Sequence, residues 1–151
     1  MCGKVFYPWS AGASSSATFI MKSAVKGIRF KCSTSTKAII GLSTKDEAVG
    51  PNTNNEIKWG MHCDTGTLRI YESGILKGSH GTYAAGDYME VKINSDPGVQ
   101  QYQARLVEYY HKGTKIYVSA VAPTFPLLVD VAFNGVGAIS NIEWVGEDVW
   151  F

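Results

Sequence analysis

Apolar and polar residues alternate with a period of two along most of the chain. In segment 56–63, EIKWGMHC, apolar residues including Trp59 and Cys63 fall on one side, and polar residues or glycine fall on the other. This alternation is typical of a strand that packs one face on a core. The same pattern, with many β-branched and aromatic residues, predicts strands over 17–23, 27–33, 36–43, 56–63, 67–73, 87–94, 105–112, 114–120, 126–134 and 138–145.

No segment of helical length has apolar residues at a period near 3.6, so we expect little or no helix. Turn residues separate the predicted strands at Asp64-Thr65-Gly66, Ser73-Gly74, Lys112-Gly113 and Asn134-Gly135. Many short strands joined in this way predict an all-β fold, an antiparallel two-sheet β-sandwich in one domain over 1–151. Segments 43–56 and 94–104 are irregular and are expected to form exposed loops.

Composition and charge exclude some classes of partner. Apolar residues make up 45% of the chain and charged residues 18%, and the formal net charge is +1. A chain with so little net charge and no basic run has no electrostatic basis for binding nucleic acid or an anionic membrane. We therefore expect neither partner, and no motif in the sequence points to a cofactor.

The cysteines predict an intracellular protein. Cys2, Cys32 and Cys63 are odd in number and widely spaced, so they form neither a disulfide framework nor a zinc motif. Cys32 and Cys63 fall on the apolar phases of their strands and are interpreted as small buried hydrophobic residues. The N terminus also lacks the apolar region of a secretory signal, so a reduced, cytoplasmic location is expected.

The glycine-rich stretch 78–91, GSHGTYAAGDYMEV, is compatible with either a ligand-binding loop or a turn. Phosphate loops place their glycines before a helix, whereas a strand follows here. Gly78, Gly81 and Gly86 are therefore expected to shape a connection between strands. The following residues Met89, Val91 and Ile93 are expected to point into the core.

The order of six motifs resembles that of the concanavalin-A-like jelly-roll superfamily, which includes lectins and glucanases, and in particular SPRY/B30.2-like domains. The motifs are WSAGASSS (9–16), IIGLSTKD (39–46), IKWGMHCDTGTLRIYESG (57–74), GTYAAGDYMEVKI (81–93), VEYYHKGTKIYVS (107–119) and PTFPLLVDVAF (123–133). The resemblance implies a jelly-roll sandwich. It does not imply one function, because members of this superfamily bind sugars, peptides or proteins, and some are glycosidases.

The chain is not expected to be an enzyme. Jelly-roll glucanases need two carboxylates on one face of a strand, and Glu56 is followed on its own face by Lys58 and Gly60. A nucleophile–base pair of Cys63 and His62 also fails, because adjacent strand residues point to opposite faces. Nothing in the spacing of the three histidines indicates a metal site.

One loop carries a candidate calcium site, which the resemblance to lectins suggests. Segment 46–56 supplies oxygen donors, chiefly Asp46, Asn52, Asn54 and Asn55, with Glu47 and Glu56 beside them. The same residue types are common in any long solvated turn. Both interpretations stay open.

Aromatic residues outside the predicted core are the candidates for contact with a partner or ligand. Trp59, Tyr109 and Phe133 are assigned to the core by their phase. The candidate binding residues are Tyr71, Tyr102, Tyr110, Trp144, Trp150 and Phe151. The aromatic extensions 1–9 and 146–151 either pack back on the sandwich or bind a partner.

These features predict a non-enzymatic module that binds another protein or acts as a scaffold, with loops 43–56 and 94–104 and the aromatic termini as its contact surface. A cytoskeletal or ciliary assembly is one setting that the resemblance implies. The alternative is a carbohydrate-binding module or lectin of a cell-surface or secreted protein.

Overall fold

The computed structural model describes residues 11–19, 25–45, 57–94, 105–135 and 137–146. Within these residues the chain forms eleven strands and no helix, which confirms the predicted all-β class. The strands are β1 (Ala11–Phe19), β2 (Val25–Cys32), β3 (Lys37–Ser43), β4 (Trp59–Asp64), β5 (Thr67–Glu72), β6 (Ile75–Thr82), β7 (Met89–Ile93), β8 (Val107–His111), β9 (Thr114–Val118), β10 (Leu127–Phe133) and β11 (Ile139–Gly146).

The strands form two antiparallel sheets that face each other as a β-sandwich. The six-stranded sheet has the order β1-β10-β3-β4-β5-β6, and the five-stranded sheet has the order β11-β2-β7-β8-β9. Every pairing is antiparallel. Because β1 pairs with β10 and β2 pairs with β11, strands from the two ends of the sequence are neighbours in both sheets.

The core lies between the sheets and consists mainly of residues that alternation assigns to the inward faces, although Phe133, which was also assigned to the core, is only half-buried. The six-stranded sheet contributes Met61 and Ile70, and the five-stranded sheet contributes Phe30, Val91 and Tyr109, all fully buried. Removing such side chains from water is the main favourable term in folding. The predicted inward orientation of Met89, Val91 and Ile93 is confirmed, since all three belong to this core.

The two ends of the sandwich differ in their connections. At the end that we call the short-turn end, the strands are joined through 33–36, 65–66, 83–88, 112–113 and 134–138. The opposite end, which we call the loop end, holds the strand ends that are joined through 20–24, 44–58, 73–74, 94–106 and 119–126. The loops predicted over 43–56 and 94–104 therefore start and finish at the loop end, although residues 46–56 and 95–104 lie outside the described residues.

Strand β6 corrects the prediction that Gly78 and Gly81 belong to a connection between strands. Ile75–Thr82 is a strand that pairs with β5, and its register shifts twice along that pairing. Gly78 and Gly81 have φ values of 120° and 86°, which glycine adopts far more easily than other residues. The pattern missed this strand because an irregular edge strand that is rich in glycine shows no regular alternation. Strand β1 also begins earlier than predicted, at Ala11.

Asp87 fixes the turn that leads from β6 into β7. Its backbone N–H donates to the Ala84 carbonyl at 3.0 Å, and its carboxylate accepts the Ala84 N–H at 2.9 Å. His111 Nε2 lies 2.8 Å from the same carboxylate. The Ala84 N–H and then His111 lower the pKa of Asp87 below its usual value. The predicted turn at Gly86-Asp87 therefore has a specific hydrogen-bonding basis.

A disulfide between Cys32 and Cys63 contradicts the prediction that these cysteines are reduced. Cys32 ends β2 in one sheet and Cys63 lies in β4 of the other, and both face the core with at most 1% exposure. Their Cα atoms are 6.5 Å apart, within the range that a disulfide spans. The apolar phase of each cysteine was predicted correctly, but cysteine number and spacing do not show which residues face each other across a sandwich.

Removing this disulfide is expected to lower the stability of the protein. The bond joins residues 31 apart in sequence, and closing a loop of that length contributes about 3–4 kcal/mol by restricting the unfolded chain. The double variant Cys32→Ala/Cys63→Ala should lose about this free energy of unfolding in urea titrations under oxidising conditions.

Reductant provides the matched control for this comparison. It should lower the stability of the wild-type protein towards that of the double variant and leave the double variant unchanged. Equal unfolding free energies for the wild-type protein and the variant in oxidising buffer would contradict the assignment of a stabilising disulfide.

Candidate functional site

A cleft of about 370 Å³ opens at the loop end of the sandwich, and we call it the loop-end cleft. It lies where β5 turns into β6, next to the start of β4 and the connection after β9. Its lining includes Lys58, Trp59, Glu72, Ile75, Lys77 and Val121. Concave surfaces beside long connections are common places for ligands and partners to bind.

The floor of the cleft holds a buried carboxylate, Glu72. Along β5, Leu68, Ile70 and Glu72 face the core in turn, so Glu72 occupies the position where a third apolar side chain would be expected. Its side chain is held in place by two hydroxyl groups. Tyr109 Oη donates to Glu72 Oε2 at 2.8 Å, and Ser119 Oγ donates to Glu72 Oε1 at 3.0 Å.

These hydrogen bonds join the two sheets at the loop end. Glu72 belongs to the six-stranded sheet, whereas Tyr109 lies in β8 of the five-stranded sheet and Ser119 directly follows β9. Burial, followed by the negative charge of Glu72, raises the pKa of Tyr109 well above its usual value. The Tyr109 hydroxyl therefore stays protonated at physiological pH and remains a hydrogen-bond donor to the carboxylate.

Two exposed aliphatic side chains lie in the lining of the cleft, and we call them its aliphatic rim. Ile75 at the start of β6 is 61% exposed, and Val121 in the connection after β9 is 60% exposed. The Val121 N–H donates to Ser119 Oγ at 3.1 Å, so the group that binds Glu72 also holds the backbone that carries the rim. Large aliphatic side chains that stay exposed beside a cleft are typical of surfaces that bind other molecules.

Tyr110, one of the predicted binding residues, lies outside this cleft. It projects from the outer face of the five-stranded sheet, as its phase predicts. Its hydroxyl donates to Glu108 Oε1 at 2.7 Å, and Lys92 Nζ lies 4.3 Å from the centre of its ring. Burial and then the bond to Glu108 raise the pKa of Tyr110. The ring is therefore already engaged by neighbours on its own sheet.

Tyr71 lies on the outer face of the other, six-stranded sheet. Its ring packs edge-on against His62 with 5.4 Å between the ring centroids, and it contacts the buried residues Ile39, Ile57 and Ala132. Burial lowers the pKa of His62 to about 4, so this imidazole is neutral at pH 7. His62 and Cys63 face opposite sides of β4, as predicted.

Trp144 lies in β11 and is half-buried against the main core, between the sheets. The remaining predicted binding residues, Tyr102, Trp150 and Phe151, lie outside the described residues, as do Glu56 and the calcium candidates Asp46, Asn52, Asn54 and Asn55. Tyr71 and Tyr110 therefore lie on the outer faces of different sheets and Trp144 packs against the core, so the structure does not bring the three together into one site.

The described residues show neither a metal site nor a membrane-spanning helix. Among the described residues, no group of three or more histidine, cysteine or acidic side chains is arranged to hold a metal ion. His62, His80 and His111 in particular do not form such a group. The described residues also contain no helix that is long and apolar enough to cross a membrane.

Comparison with known proteins adds no assignment. A scan against models of protein families gave no match, and a search of curated proteins gave no significant match.

The sequence pattern did not predict Glu72, Ser119 or the aliphatic rim as part of a site, although one feature of the sequence marks Glu72. Segment 67–73 was predicted to be a strand, and its alternation places Glu72 on the same face as Leu68 and Ile70. A charged residue on an apolar phase marks a position where burial needs a specific partner. Its partners come from β8 and the end of β9, which the sequence alone does not place nearby.

The hydrogen bond between Tyr109 and Glu72 is expected to contribute strongly to stability. In a double-mutant cycle with Glu72→Ala and Tyr109→Phe, the coupling energy should be about 1.5–3 kcal/mol, because the bond involves a charged acceptor away from water. Chemical denaturation of the four proteins measures this energy.

The pair Glu108 and Tyr110 provides the matched control, since its hydrogen bond of 2.7 Å has similar length but lies on an outer sheet face. Because Lys115 also pairs with Glu108 at 2.9 Å, this coupling should be smaller, below about 1.5 kcal/mol. Equal coupling energies in the two cycles would show that the bond between Tyr109 and Glu72 is no stronger than the bond between Tyr110 and Glu108.

Proposed function

We propose that the protein is a non-enzymatic binding module that recognises another protein through the loop end of its sandwich. The observation that carries this proposal is the loop-end cleft, whose rim exposes Ile75 and Val121 by about three-fifths of their surface. Exposed aliphatic groups around a concave centre favour a protein surface as the ligand, since both partners then bury apolar area.

A sugar is a less suitable ligand for this cleft. Sugars commonly stack on exposed aromatic rings, but the ring in the lining of the cleft, Trp59, is only 5% exposed. Tyr88, on the outer face of the five-stranded sheet, has Arg29 and Lys31 over its ring at 4.6 and 4.4 Å. The aliphatic rim and these occupied rings favour protein recognition over the lectin alternative.

Binding rather than catalysis is supported by the acidic groups of the cleft. Glycoside hydrolysis, the reaction known in the superfamily that the sequence resembles, needs a pair of carboxylates on either side of the scissile bond. Glu72 is the single carboxylate among the described residues that line the cleft. Ser119 is 1% exposed, which makes it inaccessible as a nucleophile.

The relationship to concanavalin-A-like and SPRY-like sandwiches is part of the same proposal. Two antiparallel sheets support it, and so does the adjacency of strands from both ends of the sequence, β1 with β10 and β2 with β11. Domains of this layout often bind through loops at one end of the sandwich, where sequence can vary without disturbing the core. The long connections at the loop end fit such a use.

The disulfide favours an oxidising compartment as the place of action. A structural disulfide persists in secreted and cell-surface proteins and is rare in the cytosol. This observation favours the cell-surface or secreted alternative over the cytoplasmic, cytoskeletal or ciliary location expected from the sequence. Because both cysteines are buried, the point is tested by alkylating the protein in denaturant directly after isolation from its native cells. Cys32 and Cys63 should react only after reduction, whereas labelling of both before reduction would contradict an oxidising location.

Site-specific photocrosslinking tests the proposed binding surface. A photoreactive amino acid at position 75 or 121 should crosslink a protein from native material in a saturable manner. The matched control places the same group at Ala85, which is exposed at the short-turn end, and should give no such product. Unlabelled wild-type protein should compete, but the double variant Ile75→Ser/Val121→Ser should not, because it lacks the aliphatic contact.

Two results would contradict this function. One is equal crosslinking from position 85, which would mean that the loop end has no preference. The other is clear binding to a glycan array that Ile75→Ser/Val121→Ser abolishes, because the cleft would then be a sugar site.

A further inference from the structure

Two nearly buried glutamates of this protein, Glu72 and Glu108, differ in whether a cation pairs with them. Glu72 is 6% exposed and Glu108 is 5% exposed, and each accepts a tyrosine hydroxyl at 2.8 or 2.7 Å. Glu108 is also paired with Lys115 at 2.9 Å. Within the described part of the chain, by contrast, no cation lies within ion-pair distance of Glu72.

A carboxylate without an ion-pair partner is an unusual group to bury. Removing a carboxylate from water is costly unless a cation or several donors replace the water. An ionised carboxylate has about four acceptor positions, and Tyr109 and Ser119 occupy one on each oxygen. Glu72 therefore has no cation partner among the described residues and keeps part of its acceptor capacity, and it lines the floor of an open cleft.

The surroundings of Glu72 match the shape of one kind of ligand group. A lysine or arginine side chain has an apolar stem and a charged head. In the loop-end cleft the apolar rim formed by Ile75 and Val121 lies outside, and the acidic floor lies inside. A side chain of this kind would pass its stem between the aliphatic groups and place its head at the carboxylate.

Two lysines in the lining of the cleft limit which residues can flank the bound basic residue in the partner's sequence. Lys58 and Lys77 line the same cleft and make no ion pair within the described residues. They repel a segment that carries several cations, but they attract acidic residues on either side of a single cation. The charges of the cleft are therefore complementary to a segment in which one basic residue has acidic neighbours.

We propose that the loop-end cleft receives one arginine or lysine side chain of the partner protein, flanked by acidic residues, and that Glu72 pairs with its charged head. This inference rests on the proposed function and specifies the chemistry that the cleft recognises. The planar guanidinium of arginine suits a carboxylate best, because it donates two parallel hydrogen bonds.

A pair of synthetic peptides tests the charge requirement on the full chain. The probe is a blocked aspartate–arginine–aspartate tripeptide, and its control carries citrulline, a neutral group of the same shape, in place of arginine. In amide NMR titrations, the arginine peptide should shift the signals of Ser73, Ile75 and Val121. The citrulline peptide should bind about tenfold more weakly, since the bond to a charged group is lost.

Matched variants assign this preference to one carboxylate. Glu72→Gln should remove the preference for arginine over citrulline, whereas Glu108→Gln should keep it, because Glu108 already has its own cation. If Glu72→Gln does not fold, the titrations of the wild-type protein still test the proposal. They show whether the arginine peptide binds better than the citrulline peptide, and the shifted amides identify the binding surface.

The proposal is overturned by the absence of shifts at the loop end, by equal binding of the two peptides, or by an unchanged preference in a folded Glu72→Gln protein. These results differ from a failure of the proposed function. Crosslinking from positions 75 and 121 would then still identify a partner, one whose binding does not depend on the charge of Glu72.

Discussion

Burial of the two sheets against each other is the interaction on which the rest of the structure depends. Met61 and Ile70 on one sheet meet Phe30, Val91 and Tyr109 on the other, and this core is fully buried. Two specific links join the same layers: a disulfide near the short-turn end, and the hydrogen bonds of Glu72 at the loop end. The apolar core supplies most of the stability, and these links restrict how the sheets sit on each other.

The two ends of the sandwich differ in their connections and in the surface that they present. Short turns, several of them with residues at positive φ such as Thr65 and Lys112, join the strands at the short-turn end. The strand ends that the long connections join lie at the opposite end, where the cleft opens. The link between the sheets at that end is polar. Glu72 therefore both joins the sheets through its hydrogen bonds and lines the cleft.

Much of the fold was predictable because alternation reports which face of a strand is buried. It assigned Cys63, Met89 and Tyr109 to the core correctly, and each of the four predicted glycine-containing turns joins two strands. It failed for β6, whose glycines break the alternation, and for the pairing of Cys32 with Cys63. The candidate site was largely missed, since the contacts of Glu72 join residues far apart in sequence on different sheets. The one signal for the cleft in the sequence is an acidic residue, Glu72, on an apolar phase.

The most direct test of the central claim is hydrogen–deuterium exchange of the full chain, free and bound to a partner identified by crosslinking. Recognition through the loop-end cleft predicts slower exchange at residues 73–77 and 119–124, with no change at 84–88 and 112–113. Protection confined to the short-turn end or to the outer face of either sheet would contradict it.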